Sequence, residues 1–411
     1  MRAQPPVNPF APGRGVLPPC LAGRDAEQDE LMRLYAYVRA GRGAPRDAVL
    51  SGPRGNGKTV LLRWFQREIE AGGEVDVVWR TPNDLPTLDA LATALVPPNR
   101  FRSLLPNTLS VSIGVGKLGW ELGGNPGTLA DLLALRCAQR PLVILVDEAH
   151  TLDMSVGRAL LNAGQTAAAA APFLLVLAGT PGLTLHLDRM SATFWNRAKH
   201  IGVDLLDEAS AAAALVQPLS EQHPAVTFED GALRRVLGES QRYPYFLQLW
   251  GAALWDAAVQ NAATVLDEGL VAHAGRAFDT ERSTYYEHRR DELERQDLLP
   301  VAAAVADAFA ARATLAQDEL NAVVAGALAV DAVPEIVRCR NRLATVGYVW
   351  KPPGAGDRWQ PGIPSLMRYL RPPPPSVDGA ARGATGRTGG PNSQEAGARR
   401  PSAQPRQPDK R

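Results

Sequence analysis

The sequence has few cysteines and lacks any long apolar run. Its three cysteines (Cys20, Cys137 and Cys339) are widely separated, with no CxxC or Cys/His cluster. This spacing argues against a structural zinc site or a disulfide framework, and we expect a reducing, cytoplasmic location. Charged residues interrupt every apolar run well before the roughly 18 residues that a membrane-spanning helix needs. The N-terminus shows no apolar signal-peptide segment, so we predict no membrane partner.

Net charge is also nearly absent. The 44 Lys and Arg residues against 43 Asp and Glu residues leave a net charge of +1. The field of the whole chain therefore does not favour nucleic acid, and any such binding requires a local basic patch. The length of 411 residues predicts two or three domains. Residues 1–20 are rich in Pro and Gly, which predicts a flexible N-terminal arm, and residues 372–411 have almost no large apolar side chains, which predicts a disordered basic tail.

Between these ends, short apolar runs alternate with helical patterns. The runs lie at 48–52, 75–79, 142–146 and 173–178. Because they are continuous rather than alternating, they predict strands buried on both faces. The expected fold class is therefore α/β, with a parallel sheet flanked by helices. Residues 208–290 show helical patterns only. Alternating apolar residues in 107–124 predict an edge hairpin, with an element that touches a partner or DNA as the alternative.

The strongest motif follows the first predicted strand and has the form GxxxxGK[ST]. It consists of Gly52, Pro53, Arg54, Gly55, Asn56, Gly57, Lys58 and Thr59. Glycines let the backbone N–H groups converge on phosphate oxygens, and the N-terminus of the following helix adds its positive end. Lys58 is expected to reach the β- and γ-phosphates and Thr59 to contact Mg²⁺. The motif predicts binding of a nucleoside triphosphate.

Further candidates follow the later strands. Asp147 and Glu148 come directly after the run at 142–146. We expect Asp147 to hold the Mg²⁺ hydration shell and Glu148 to polarise the attacking water. Thr180 either touches that water or the γ-phosphate, or simply ends its strand. Arg197 either reaches the γ-phosphate of a neighbouring subunit in a homo-oligomer, or is a surface arginine beside Lys199.

Residues 296–371 predict three helices and a hairpin, in the order of a winged helix. The first helix is expected at 300–311, the second after a capping box at 314–317, and the third at 335–345. The candidate contacts with double-stranded DNA are Arg338, Arg340 and Arg342 on the third helix, with Lys351 and Arg358 beside the turn of the hairpin. Eight basic and seven acidic residues nearly balance in this module. Docking to a protein therefore stays open as the alternative.

Taken together, residues 21–290 resemble an AAA+ ATPase of the replication-initiator type, a group close to the STAND signalling ATPases. GPRGNGKT resembles Walker A, LVILVDEAH resembles Walker B and LVLAGTPGL resembles the sensor-1 strand. Residues 21–27 are similar to the entry motif near adenine, which includes Arg24. Residues 194–206 resemble the arginine-finger segment, and 242–247 resemble the lid segment that contacts nucleotide through Pro244. The resemblance implies ATP and Mg²⁺, a core at 21–207, a helical lid at 208–295 and a winged helix at 296–371.

This chain departs from the initiator pattern in its lid. Tyr245 stands where initiators often have a sensor-2 arginine, and no glycine comes shortly before Pro244. We therefore expect a slow, switch-like ATPase whose nucleotide state controls a DNA-binding winged helix. The alternative is a STAND-like signalling switch whose C-terminal module contacts protein and not DNA. A DEAH helicase is not supported, because residues 208–411 contain no second RecA-like domain.

Overall fold

The computed structural model describes residues 6–13, 15–95, 126–169, 171–190 and 193–371. The predicted hairpin at 107–124 and the predicted tail at 372–411 lie outside these residues. Among the described residues no single helix is long and apolar enough to span a membrane. Only one helix pair, Gln317–Leu328 with Val333–Thr345, passes that test jointly, and it is bent by 103°.

A parallel sheet of five strands forms the centre of the N-terminal half. Its strands are β1 (Ala48–Ser51), β2 (Asp76–Arg80), β3 (Leu142–Val146), β4 (Phe173–Gly179) and β5 (Lys199–Gly202). Their order is β2-β3-β4-β1-β5, and all four pairings are parallel. The four apolar runs therefore predicted strands correctly, within one residue at either end. Every residue of β1, β3 and β4 is buried, as expected for strands with helices on both faces.

Helices cover both faces of this sheet. They are α1 (Asp25–Arg39), α2 (Lys58–Gly72), α3 (Leu88–Leu95), α4 (Pro126–Gln139), α5 (Met154–Ala168) and α6 (Leu183–Arg189). Leu31 of α1 and Phe65 of α2 pack in one apolar cluster, while Leu133 of α4 and Leu160 of α5 pack in another. The parallel strands place their carboxyl ends at one edge, where ligands bind in sheets of this kind.

A helical lid follows the sheet. Its elements are α7 (Glu208–Ser220), β6 (Thr227–Phe228), α8 (Asp230–Ser240), α9 (Pro244–Asn261), β7 (Val265–Leu266) and α10 (Glu268–Arg295). Asp207 caps α7 by accepting the N–H of Ser210 (2.7 Å), and Trp250 stacks on Phe278 with ring centroids 4.4 Å apart. The prediction of helices alone is correct except for the two-residue strands β6 and β7, which pair in parallel.

Part of the N-terminal segment packs against this lid. Phe10 is 4% exposed, and its ring lies where a side chain at Gly251 would have to be, 2.4 Å from an added Cβ. The amide of Asn8 donates to the carbonyl of Ala252 (3.1 Å) and to Asp256 (3.0 Å). Here the structure differs from the predicted flexible arm, because a glycine on α9 opens a groove that an aromatic ring fills.

The C-terminal module has the winged-helix order. Its elements are α11 (Leu299–Ala308), β8 (Leu315–Ala316), α12 (Gln317–Leu328), α13 (Val333–Thr345), β9 (Val349–Trp350), β10 (Arg358–Pro361) and α14 (Pro364–Leu370). The strands form an antiparallel sheet in the order β8-β10-β9. The predicted capping box at 314–317 is wrong. Thr314 precedes β8, and Glu319 caps α12 by accepting the N–H of Ala316 (2.7 Å).

Candidate functional site

The phosphate loop connects the carboxyl end of β1 to α2. Gly55 and Gly57 have φ angles of 78° and 96°, which side chains strongly disfavour. A Cβ on Gly52 would lie 2.2 Å from the carbonyl oxygen of Val203, so no other residue fits there. The amide of Asn56 donates to that same carbonyl (2.9 Å). The contacts with Val203 therefore hold the loop in place from one side, which leaves its backbone free to contact a ligand on the other side.

Lys58 lies folded over its own loop. Its Nζ donates to the carbonyl oxygens of Gly52 (2.8 Å) and Pro53 (2.7 Å). Burial lowers the pKa of Lys58 to about 8, while the nearby Glu148 and Asp147 oppose that shift. A lysine with a lowered pKa gains from an anionic partner, because the anion restores the stability of the charged form. Phosphate oxygens would be better acceptors here than the two neutral carbonyls.

Thr59 and Asp147 meet at the position predicted for Mg²⁺. The hydroxyl of Thr59 donates to Oδ2 of Asp147 (2.8 Å), so two hard oxygen ligands lie side by side next to the loop. Burial raises the pKa of Asp147, and the hydrogen bond from Thr59 counters this. The donor set fits Mg²⁺, which commonly uses one or two protein oxygens and completes its shell with phosphate and water. Within the described ranges no cluster of three or more His, Cys, Asp or Glu residues forms another metal site.

Glu148 projects from a strained turn at the end of β3. Its φ angle of 53° is left-handed, and its side chain is 48% exposed and borders the cavity beside the loop. His150 Nδ1 lies 3.4 Å from a carboxylate oxygen of Glu148 and accepts the N–H of Thr180 at 3.4 Å. Burial lowers the pKa of His150 to about 4, so the ring is neutral at pH 7 and this contact is not an ion pair. His150 thus does not hold Glu148 in an ion pair, and the side chain of Glu148 borders the cavity, where a general base is required.

A cavity of about 290 Å³ lies between the phosphate loop, the lid and the N-terminal segment. Arg54, Pro244 and Tyr245 line it, together with residues of the stretch 11–22. Sequence reasoning missed residues 11–20, since their proline- and glycine-rich composition carried no ligand signal, whereas residues 21 and 22 belong to the predicted entry motif near adenine. Arg24 is 5% exposed and donates to the backbone carbonyls of Asn56 (3.0 Å) and Asp204 (2.6 Å). Arg24 also lines the cavity, and its two hydrogen bonds connect the phosphate loop to the segment between β5 and α7.

Arg197 lies away from this cavity. It is exposed and borders a groove formed by residues 43–47 and 165–169. Residues 43–47 precede β1, so Arg197 lies at the amino edge of the sheet, opposite the phosphate loop. It therefore does not serve the nucleotide cavity of its own chain. Its contact with a neighbouring subunit stays a prediction.

The winged helix docks on the core beside the phosphate loop. Thr180, at the end of β4, donates its hydroxyl proton to the carbonyl of Thr345, the last residue of α13 (2.9 Å). A Cβ on Gly182 would lie 2.7 Å from Cα of Thr345, and one on Gly202 would lie 2.7 Å from Cδ of Pro353 in the wing. The end of α13 and the wing thus sit directly on the carboxyl edge of the sheet.

The structure separates the five predicted DNA contacts. Arg338, Arg342, Lys351 and Arg358 are exposed, and Arg342 also donates to the carbonyl of Gln296. The prediction for Arg340 is wrong. This residue is 8% exposed, its guanidinium lies 5.2 Å from the centre of the Trp359 ring, and it donates to Asn321 (2.9 Å). In a helix, 100° per residue puts positions two apart on opposite faces, so Arg340 points into the module while Arg338 and Arg342 point outward.

The lid turn lacks the expected glycine yet keeps a left-handed backbone. Gln241 and Arg242 have φ angles of 51° and 58°, directly before Tyr243 and Pro244. The carbonyl of Arg242 accepts the N–H of Leu206 (3.2 Å), and Tyr243 donates to the carbonyl of Arg54 (2.6 Å). The turn therefore joins the lid to the phosphate loop at the cost of local strain.

Comparison with known proteins agrees with this geometry. Residues 21–177 match the family model described as "AAA ATPase domain". The ORC2 protein of Aeropyrum pernix has a similar structure, with 13% identity, a TM-score of 0.51, and coverage of 88% of this chain and 98% of that one. Cdc6p from Pyrobaculum aerophilum aligns at 14% identity and a TM-score of 0.48, covering 87% and 96%. The RuvB Holliday junction branch migration motor of Thermotoga maritima aligns at 16% and 0.46, covering 86% and 97%.

No curated protein sequence matches the chain significantly. The loop, the Asp-Glu pair and the strand order are the parts that an ATPase of this class requires. Residues 21–177 thus match the AAA ATPase domain model in sequence, and the chain shares its fold with the ORC2 protein of Aeropyrum pernix.

Proposed function

We propose that the chain is an ATP-dependent switch that controls a DNA-binding winged helix. One observation carries this proposal: the 2.9 Å hydrogen bond from Thr180 to the carbonyl of Thr345. A hydroxyl has a single proton to donate. Thr180 can therefore donate it to α13 or to a group at the nucleotide, but not to both. Nucleotide binding at the loop then weakens the docking of the winged helix.

The docked arrangement covers part of the surface that would meet DNA. Arg338, Arg342 and Thr345 recur at intervals of four and three residues, so they share one face of α13. The carboxyl end of α13 lies against Gly182, and the wing lies against Gly202. A duplex cannot approach the end of this face while the core occupies it. Release would let a duplex approach the whole of this face, where the four exposed arginine and lysine side chains of the module suit phosphate and base contacts.

The nucleotide chemistry follows from the same site. Lys58 and the loop N–H groups bind the phosphates, and Glu148 orients and deprotonates the attacking water. Mg²⁺, held by Thr59 and Asp147, would neutralise phosphate charge. ORC2 of Aeropyrum pernix was solved as ADPNP-ADP complexes, which supports an adenine nucleotide. Turnover is expected to be slow, because Tyr245 brings no cation to the cavity.

The test is fluorescence anisotropy of a labelled duplex with the full chain, in ADP-Mg²⁺ and in ADPNP-Mg²⁺, at several ionic strengths. ADPNP should raise the affinity, and salt should lower it. Replacing both Arg338 and Arg342 by Ala should reduce the salt slope by about 2, at roughly one counterion per phosphate contact. The control replaces Arg234, an exposed lid arginine. An unchanged salt slope in the double variant would refute the proposal that the winged helix binds DNA through these arginines.

A second candidate is a switch whose winged helix contacts a protein. The burial of Arg340 favours it, because it removes one of the three cations predicted on α13. In addition, α13 already makes a protein contact, with the core. Nucleotide binding without any DNA affinity at low salt would favour this alternative.

A further inference from the structure

A second cavity, larger than the nucleotide cavity, lies where the core, the lid and the winged helix meet. Its volume is about 570 Å³. Small-molecule sites typically measure ~300–1,000 Å³ and often lie between domains. Four segments line this junction groove: 204–207 after β5, 241–242 in the lid turn, 306–313 at and after the end of α11, and 360–371 in β10 and α14. Apart from Leu206, none of its lining residues borders the nucleotide cavity, so the two cavities are separate.

Positive charge predominates in the junction groove, where four arginines against two aspartates leave a net charge of +2. The aspartates are engaged, since Asp204 accepts the amide of Gln360 (2.8 Å) and Asp207 caps α7. Two of the arginines already pair with carboxylates of the winged module, Arg312 with Glu319 (2.8 Å) and Arg371 with Asp307 (3.7 Å). The other two, Arg242 and Arg368, form no ion pair with any residue that the structure describes. The groove therefore has two guanidinium groups available for an anion.

The lid turn contributes a strained backbone and an unpaired acceptor to the groove. Gln241 and Arg242 both have left-handed φ angles, a conformation that side chains disfavour and that often occurs where a ligand is held. The side-chain oxygen of Gln241 is buried and accepts no hydrogen bond from any described residue. Buried polar atoms normally have a partner. An N–H or O–H group on a ligand in the groove would supply one.

The remaining lining of the groove is mainly apolar. Phe309 and Met367 are 7% and 3% exposed and border the groove together with Pro361 and Pro364. An apolar wall does nothing for an inorganic ion or for the backbone of DNA, whereas it stabilises the ring or hydrocarbon body of a small molecule. The sequence that follows Arg371 is a poor occupant, because its seven basic and three acidic residues would be repelled by the arginines.

From these observations we infer that the junction groove binds a phosphorylated small molecule, with its phosphate on Arg242 and Arg368 and its apolar body against Phe309 and Met367. Arginine suits this role because its planar donors bind phosphate through two parallel hydrogen bonds. Gln241 accepts a hydrogen bond from an amine or hydroxyl group of the same ligand. Because Arg242 belongs to the lid turn and Arg368 to α14, the ligand links the lid to the winged helix. The inference goes beyond the proposed function and requires neither ATP nor DNA.

Calorimetric titration with AMP tests the inference, in the full chain carrying Lys58→Ala so that the phosphate loop does not compete for the probe. AMP combines a phosphate with an aromatic ring, an amine and hydroxyl groups, and adenosine lacks only the phosphate. AMP should bind with a Kd below about 1 mM and about tenfold or more tightly than adenosine, the range for a charge-assisted hydrogen bond. Arg242→Gln and Arg368→Gln should each weaken AMP binding about tenfold and leave adenosine binding unchanged. The matched control is Arg234→Gln, an exposed lid arginine outside the groove, and it should change neither affinity.

No AMP binding at millimolar concentration, or AMP binding that neither arginine substitution weakens, would overturn the inference. Weaker duplex binding in these two variants, with AMP binding unchanged, would assign the groove to DNA and overturn it as well. Arg242→Gly removes the guanidinium and relieves the left-handed backbone, so the loss of AMP binding expected in this variant cannot come from unfolding. Thermal melting checks that the other variants are folded. A wild-type chain without nucleotide-dependent DNA binding would refute the proposed function and leave this inference intact.

Discussion

Replacing Gly182 by Ala tests whether close packing holds the winged helix on the ATPase core. The backbone at Gly182 is right-handed helical, with φ −70° and ψ −9°, so alanine adopts it without strain. The added methyl carbon would lie 2.7 Å from Cα of Thr345 and 2.8 Å from its hydroxyl oxygen. Forcing one methyl group into a packed contact costs about 1–3 kcal/mol, which weakens docking roughly 5- to 150-fold.

The readout is hydrogen–deuterium exchange in the peptides that contain Thr180 and Thr345, without nucleotide. Exchange there should be faster in the Gly182→Ala variant, and DNA affinity without ATP should increase. The control is Gly238→Ala inside α8, where an added Cβ has no atom within 4 Å. That change should stabilise the fold by about 0.5–1 kcal/mol and leave exchange at the docking contact unaltered. Wild-type exchange rates in the Gly182→Ala variant would refute the docking mechanism.

Three further predictions concern the nucleotide site and its supports. Glu148→Gln should retain nucleotide binding and slow phosphate release about 100-fold or more, because the general base is lost, whereas Lys58→Ala should abolish binding itself. Undiminished phosphate release in Glu148→Gln would contradict the role of Glu148. Arg242→Gly should raise the free energy of unfolding by up to about 1 kcal/mol in urea titrations, since relief of a left-handed φ exceeds the entropy added to the unfolded chain. Phe10→Ala should lower the free energy of unfolding by about 3 kcal/mol and weaken ADPNP binding. Unchanged ADPNP affinity in this variant would show that the N-terminal segment does not contribute to nucleotide binding in the cavity.

The parts that were predictable from sequence depend on neighbours along the chain. The phosphate loop is a run of eight consecutive residues between a strand and a helix. Its pattern of glycines and lysine specifies one loop conformation. Continuous apolar runs identified four strands, because burial on both faces leaves no alternation. Asp147 was placed correctly beside Thr59 because both follow parallel strands at the same edge of the sheet. In each case the local pattern specifies the structure without knowledge of tertiary contacts.

Other features needed the tertiary structure. The packing of Phe10 depends on Gly251, which is more than 200 residues away, and no local pattern connects them. The contact between Thr180 and Thr345 joins two domains whose orientation the sequence does not encode locally. Arg340 is different, since helical periodicity alone separates it from Arg338 and Arg342. Counting arginines on α13 without assigning their faces produced that error.

The length of α10 has a mechanical consequence. At 28 residues this helix is about 42 Å long, using 1.5 Å per residue. It begins in the lid, and three residues separate its end from α11, the first helix of the winged module. A tilt of about 5° at its lid end would move its other end by about 4 Å, given that length. A sub-ångström adjustment around the phosphates would thereby displace the far end of α10 by more than the length of a hydrogen bond.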